Sequence, residues 1–172
     1  SQKATSFAGL PRSMRENLLS LSGEVIANPR KFRMERRVAE IATNLAANLG
    51  ESGDLSRINN FCLSLTTENM RPDTIADVFK RLGIRDYWDR ISKSTDLILF
   101  WQTSDEKKKK KETKRQLNEL IELRNKIAHS PQDVLWPSQQ DLTQAATFIM
   151  TLAKSTSLAI PIFALSFCND AQ

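Results

Sequence analysis

The chain has 172 residues, 40% of them apolar, with five glycines and six prolines, which is enough for one globular domain with a sizeable core over residues 1–172 and short for two. Its formal net charge of +5 points toward an acidic partner, and its two cysteines, Cys62 and Cys168, lack metal-ligand spacing and fit free thiols in a reducing, cytoplasmic setting. No run of about 18 apolar residues occurs and no signal-type apolar core follows the first residues, so neither a membrane span nor an export signal is expected; the missing initial methionine fits a processed chain or a piece of a larger protein.

Residues 1–9 form a polar lead. Over residues 14–26, Met14, Leu18, Leu21 and Val25 recur at intervals of three and four, which predicts one helix face. Residues 30–49 repeat the pattern with Val38, Ile41, Ala42, Leu45, Ala46 and Leu49, and Gly50 is placed to close that helix. A shorter helix is predicted over residues 55–65. Pro72 and Asp73 mark the next helix start, Ile75, Val78, Phe79 and Leu82 supply its face, and Gly83 stops it. Residues 86–101 are rich in large apolar side chains and read as two short helices broken near 93–95, with a strand over 97–101 as the alternative.

The longest predicted helix covers residues 106–128, with Leu117, Leu120, Ile121, Leu123 and Ile127 facing inward. Pro131 ends it, because the residue before a proline is pushed out of the α region. Ser138 is a good N-cap for a final helix whose apolar set is Leu142, Ala145, Ala146, Ile149, Leu152 and Ala153. The apolar tail, 158–172, is interrupted by Pro161 and is expected to pack on the core or on a partner. Without convincing strand alternation elsewhere or an internal repeat, the class is all-α.

Charge is concentrated in two places. Residues 105–115 hold seven basic and three acidic residues, and residues 30–37 hold five basic and one acidic; outside them the chain is slightly acidic. RNA would read such patches through counterion release, with Lys107, Lys108, Lys109, Lys110 and Lys111 as the main run and Lys126 further along. A solvated helix face has the same composition.

His129, the single histidine, ends the segment Leu123-Arg124-Asn125-Lys126-Ile127-Ala128-His129. Asn125 and His129 are four residues apart and share a ridge, whereas Arg124 and His129 lie about 140° apart around the axis; a long arginine side chain that bends back across Asn125, or fraying before Pro131 that re-aims the histidine, brings both to one cleft. Histidine titrates near neutrality and arginine is a permanent fork of donors for phosphate, a pair suited to phosphodiester chemistry without a metal. The competing reading is local. A histidine in a last turn complements the helix dipole and bonds free carbonyls, and Arg124 would pair with Glu119 or Glu122. Gly-rich phosphate loops, Cys/His clusters and Gly-x-Ser-x-Gly elbows are lacking, and no metal or cofactor is expected. The tryptophans Trp88 and Trp101 read as core; Trp136, in the loop after His129, is the one aromatic to watch as a substrate contact, although packing is favoured for it too.

Arg124-Asn125-Lys126-Ile127-Ala128-His129 resembles the Arg-polar-x-x-x-His motif of the HEPN superfamily, at the end of a long helix before a final one. Glu68-Asn69-Met70-Arg71-Pro72, Val78-Phe79-Lys80-Arg81-Leu82-Gly83-Ile84 and Tyr87-Trp88 are similar to the middle of the bacterial RiboL-PSP-HEPN branch. The likeness covers roughly residues 30–155, and the departure is at the N-terminus, where the first helix is short and follows a polar lead.

The resemblance implies an α-helical bundle of four or five core helices plus short ones, homodimerising with the motifs face to face. It implies Arg124 and His129 as the catalytic dyad of a metal-independent endoribonuclease, with Asn125 in support. RNA, transfer RNA included, is the implied substrate, in a toxin–antitoxin or anti-phage setting with an antitoxin or defence-system partner. Some members are non-catalytic modules that bind nucleotide, RNA or protein. Cleavage through the 2′-OH needs a base, an acid and positive charge, and a protomer with one histidine has one near-neutral proton carrier, so a symmetric dimer completes the set.

Overall fold

The structure, a computed structural model, describes residues 6–49, 53, 55–67 and 69–169, the side chains of 133 and 161–169 apart. Among the described residues there are eight α-helices, linked in part by 3-10 turns, and no strand. The chain is all-α. No helix among them is long and apolar enough to cross a membrane. Contacts divide the chain into two compact units, one of residues 1–69, 77–85 and 165–172, the other of residues 70–76 and 86–164.

In the first unit, α1 (Arg12–Ala27) buries Leu18, Ser22 and Val25, spaced four and three apart as one face requires. It stops before Pro29, since Asn28 is held outside the α region at φ −133° and ψ 57° by the following proline. Leu18 packs with Phe7 and Leu63, and Val25 with Ile41 and Cys62. Each such side chain, fully buried, contributes about 1.5–3 kcal/mol. Phe7 corrects the reading of residues 1–9 as a polar lead: it sits in a 3-10 turn, Phe7–Gly9, its N–H donates to the Gly53 carbonyl at 2.9 Å, and its ring is core. The first five residues lie outside the described set.

Two further predictions in this unit are corrected. The helix expected over 30–49 is broken into α2 (Pro29–Phe32), a 3-10 turn at Glu35–Arg37, and α3 (Val38–Asn48). The break falls at Arg33, whose φ of 56° is left-handed and lets its own N–H and that of Met34 close back onto Arg30 and Pro29. Gly50, the expected closing residue, is outside the described set. The helix expected over 55–65 is instead two 3-10 turns, Leu55–Arg57 and Asn60–Ser64. Between them the Asn59 side chain, 3% exposed, donates to Ser22 Oγ (3.1 Å) and the Ile41 carbonyl (3.0 Å) and accepts from Asn44 Nδ2 (3.0 Å). A buried amide must be satisfied, and these bonds hold the chain in a path that a regular helix would not follow.

Helix α4 spans Pro72–Arg81, started by Pro72 and followed by Gly83 at φ 86°, as the sequence predicts. In the second unit, residues 86–101 form two short helices, α5 (Tyr87–Ile91) and α6 (Thr95–Trp101), which settles the strand alternative. Ser94 caps α6 by accepting from the Leu97 N–H. Then come α7 (Glu106–His129) and α8 (Gln139–Asn169), the latter continuing past Pro161, so the predicted interruption there is corrected: one lost backbone bond does not end the helix. The tail side chains whose packing was expected fall mostly outside the described set.

The buried face of α8 agrees with its predicted one at Leu152 and departs from it at Leu142 and Ile149. Leu142 and Ile149 are 56% and 45% exposed, while Phe148, Leu152 and Ser155 are buried. Polar anchors set the rotation: Ser94 Oγ donates to Ser155 Oγ at 2.8 Å, Tyr87 and Thr156 hydroxyls bond at 2.7 Å, and Phe148 meets the rings of Phe100 and Trp101. Burial raises the Tyr87 phenol above its ordinary range, the Thr156 bond opposing it.

Candidate active site at the end of helix α7

Helix α7 is built from both ends. Asp105 caps it by accepting from the Lys108 N–H at 3.1 Å, and Lys126 and His129 lie in the last turn, where positive charge suits the helix dipole, whereas the lysines that follow Glu106 in the first turn oppose it. Its inward row is Lys109, Thr113 and Leu117, four residues apart. Trp101 Nε1 donates to Thr113 Oγ1 at 2.9 Å and Trp88 Nε1 to the Pro72 carbonyl at 2.9 Å, so both indoles are spent on the core side, as expected for them. Leu120, Ile121, Leu123 and Ile127, predicted inward, are only half-buried.

Ion pairs surround this helix: Lys110 with Asp89 (2.7 Å), Lys114 with Asp73 (3.4 Å), Arg71 with Glu122 (3.6 Å), and Arg115 with Glu112 (2.8 Å) and Glu119 (2.6 Å). Exposed pairs of this kind contribute little stability each. Their consequence is local: Glu119 and Glu122, the acids considered for Arg124, are held by Arg115 and Arg71.

The motif occupies the last turns. Arg124 Nη1 donates to Asn125 Oδ1 at 3.0 Å, so the arginine side chain does bend back to Asn125. Arg124 and His129 are exposed and Asn125 is half-buried. The helix closes with the Ser130 N–H donating to the Lys126 carbonyl at 2.8 Å, and Pro131 opens a 3-10 turn, Pro131–Asp133. Among the described residues the His129 imidazole has no hydrogen-bond or ion-pair partner, so it does not bond the final carbonyls as a capping histidine would.

The RiboL-PSP-HEPN family model matches residues 1–160. The chain belongs to the RiboL-PSP-HEPN family. The match begins at residue 1, further toward the N-terminus than the motifs alone reach, and it ends within α8. Neither a curated protein nor a solved structure matches the chain. Membership in RiboL-PSP-HEPN points to a nuclease or nucleotide-related role.

The basic run of α7 is not all surface in this HEPN domain. Lys107, Lys108, Lys111 and Lys126 are exposed and Lys110 is half-buried against Asp89, but Lys109 is 1% exposed and belongs to the core row with Thr113 and Leu117. Lysine at a buried helix position keeps its methylene stem in apolar surroundings. The fourfold spacing of 109, 113 and 117 is the signal that distinguishes it from its neighbours. In the first unit, Arg30, Arg33 and Arg36 are exposed, while Lys31 pairs with Glu24 (2.9 Å) and Arg37 with Glu40 (2.8 Å), the Arg37 guanidinium lying 3.9 Å from the Phe61 ring centre. The Arg37 bond holds the Glu40 carboxyl below its ordinary range.

A cavity of about 400 Å³ opens in the first unit between the start of α1 and the end of α4, lined by Ser13, Glu16, Asn17, Asp77, Lys80, Arg81, Gly83 and Arg85. It mixes both charge signs and contains none of the motif residues. Among the described residues no group of three His, Cys, Asp or Glu side chains is arranged to hold a metal ion. Trp136 corrects its prediction outright: it is 63% exposed and its neighbour Leu135 is 94% exposed.

Proposed function

We propose that the chain is a metal-independent endoribonuclease, acting as a homodimer on RNA, with transfer RNA the first substrate to try, in a toxin–antitoxin or anti-phage setting with an antitoxin or defence-system partner. The observation that carries this reading is the hydrogen bond from Arg124 to Asn125 (3.0 Å) at the same helix end as an exposed His129 that has no partner among the described residues, in a RiboL-PSP-HEPN chain.

In this reading His129 removes the proton of a ribose 2′-OH, and the 2′ oxygen attacks the adjacent phosphorus. Arg124 neutralises charge that accumulates on the non-bridging oxygens, and Asn125 holds the guanidinium in place. The bond from phosphorus to the 5′ oxygen breaks, and the histidine of the second protomer protonates that oxygen. The products are a 2′,3′-cyclic phosphate and a 5′-OH. Lys107, Lys108, Lys111 and Lys126 attract the strand through its phosphates.

The test is the identity of the product ends. Cleavage of RNA by the purified protein should survive EDTA, yield the cyclic phosphate, and vanish when the nucleotide 5′ to the cut is 2′-deoxy. Cleavage of the deoxy substrate, or a requirement for Mg²⁺, overturns the mechanism. Tight binding of RNA without cleavage would instead assign the site to a binding module.

A further inference from the structure

We infer that Trp136 is a stacking platform for a base of the RNA strand bound at the His129 site, a contact that rests on the nucleic-acid reading given above. Trp136 departs from the other two tryptophans of the chain. Trp88 is 5% exposed and Trp101 donates its indole N–H to Thr113, whereas Trp136 is 63% exposed. An isolated exposed leucine is ordinary, but a tryptophan beside a leucine that is 94% exposed, on a loop of a few residues, marks a surface meant to be covered.

The loop that presents the indole is anchored at both ends. At its start the Ser130 N–H bonds the Lys126 carbonyl and Pro131 begins a 3-10 turn. At its end Ser138 and Asp141 form a reciprocal capping box: the Ser138 N–H and Oγ–H donate to Asp141 Oδ2 at 2.9 and 2.7 Å, and the Asp141 N–H donates to Ser138 Oγ at 3.2 Å. These bonds hold the Asp141 carboxyl below its ordinary range. Pro131 and Pro137 further limit the backbone between the anchors. The exposure of Trp136 is therefore a property of an ordered connection.

Reach and chemistry then select the occupant. The chain from His129 to Trp136 passes through one 3-10 turn and a short extended stretch, a span of at most about 20 Å, which a single strand covers in about six stacked nucleotides or fewer. Arg124 and Lys126, both exposed on the last turns of α7, supply cations for the backbone of such a strand. An indole face accepts any base, so it adds grip without requiring a particular sequence. A polyanion carrying flat apolar rings matches a site made of cations followed by an uncovered indole.

The experiment separates this contact from the catalytic proposal by reading binding in a His129→Ala background. With a mixed-sequence single-stranded RNA as probe, Trp136→Ala should weaken binding about five- to a hundredfold, and Trp136→Phe should restore most of it. RNA should quench tryptophan fluorescence in the His129→Ala protein and not in its Trp136→Phe derivative. In the active protein Trp136→Ala should raise KM by a similar factor while kcat changes little. Unchanged binding and KM would overturn the contact even if cleavage proceeds by the proposed mechanism. Loss of the dimer on Trp136→Ala, with RNA affinity per protomer retained, would overturn it in favour of a protein contact. A wild-type chain that binds RNA with the predicted quench but never cleaves it would leave the contact standing and remove the catalysis.

Discussion

Arg124 and Asn125 are consecutive on α7, their side chains start about 100° apart around the helix, and yet the guanidinium reaches the neighbouring amide oxygen at 3.0 Å. The bond draws the arginine toward the ridge that Asn125 shares with His129 and limits the rotamers of a long, flexible cation. Asn125→Ala should therefore lower kcat about tenfold or more, through misplacement of Arg124, with a smaller effect on KM. Steady-state cleavage rates check this, and an unchanged kcat would assign the pair to the helix surface alone.

His129→Ala should abolish cleavage and leave the fold intact. The ring is exposed and has no partner among the described residues, so its stabilising effect reduces to the helix-dipole interaction, about 0.3–1 kcal/mol. Thermal denaturation and cleavage assays on the same preparation separate the two roles. A large loss of stability with normal activity would make His129 a structural residue.

The lysine run should behave as two classes. Replacing exposed Lys107, Lys108 and Lys111 by glutamine should weaken RNA binding and flatten its dependence on salt, the slope falling by about 0.7 for each phosphate no longer neutralised, with little change in stability. Replacing buried Lys109 should do the reverse, lowering the melting temperature and leaving the salt slope unchanged. An equal salt effect from all four would contradict the burial of Lys109.

A dimer should be the active species. Each protomer offers one histidine to a reaction that needs both a base and an acid, so mixing His129→Ala protomers with wild-type protomers should give heterodimers of strongly reduced activity. Sedimentation at micromolar concentration and activity against mixing ratio provide the check. A monomer that cleaves RNA at the full rate would remove the two-histidine mechanism.

Gly53→Ala should destabilise the first unit by about 1–3 kcal/mol. A Cβ at this position would lie 2.7 Å from Phe7 Cβ, next to the backbone, and 2.9 Å from Oδ1 of Asn48, whose amide is held by bonds from Nδ2 to the Asn44 and Arg57 carbonyls. Urea unfolding would register the loss, while a neutral result would mean that the Phe7 turn moves aside at no cost.

Much of this was readable from local pattern. Apolar residues at three- and four-residue intervals placed α1 and α4, Pro72 and Gly83 marked the limits of α4, Asp86 to Trp101 divided where Ser94 caps a new helix, and Pro131 ended α7. The motif, too, was visible as residue types at a fixed spacing on one helix end. These features depend on neighbours within one or two turns, where backbone geometry and capping chemistry act on nearly any sequence in the same way.

Packing decided the rest, because burial is settled between elements distant in sequence. Periodicity alone offers α8 more than one apolar face; the hydroxyl pairs Ser94–Ser155 and Tyr87–Thr156 chose the one carrying Phe148 and Leu152 and left Leu142 and Ile149 outside. Composition cannot separate Lys109 from the four lysines around it, yet its rotation around α7 puts it in the core row with Thr113. Asn59, a residue that reads as a turn former, became a buried hub for Ser22, Ile41 and Asn44 and replaced a helix with two tight turns. Trp136, an apolar side chain by type, lies exposed on the connection between α7 and α8, which is held at both ends.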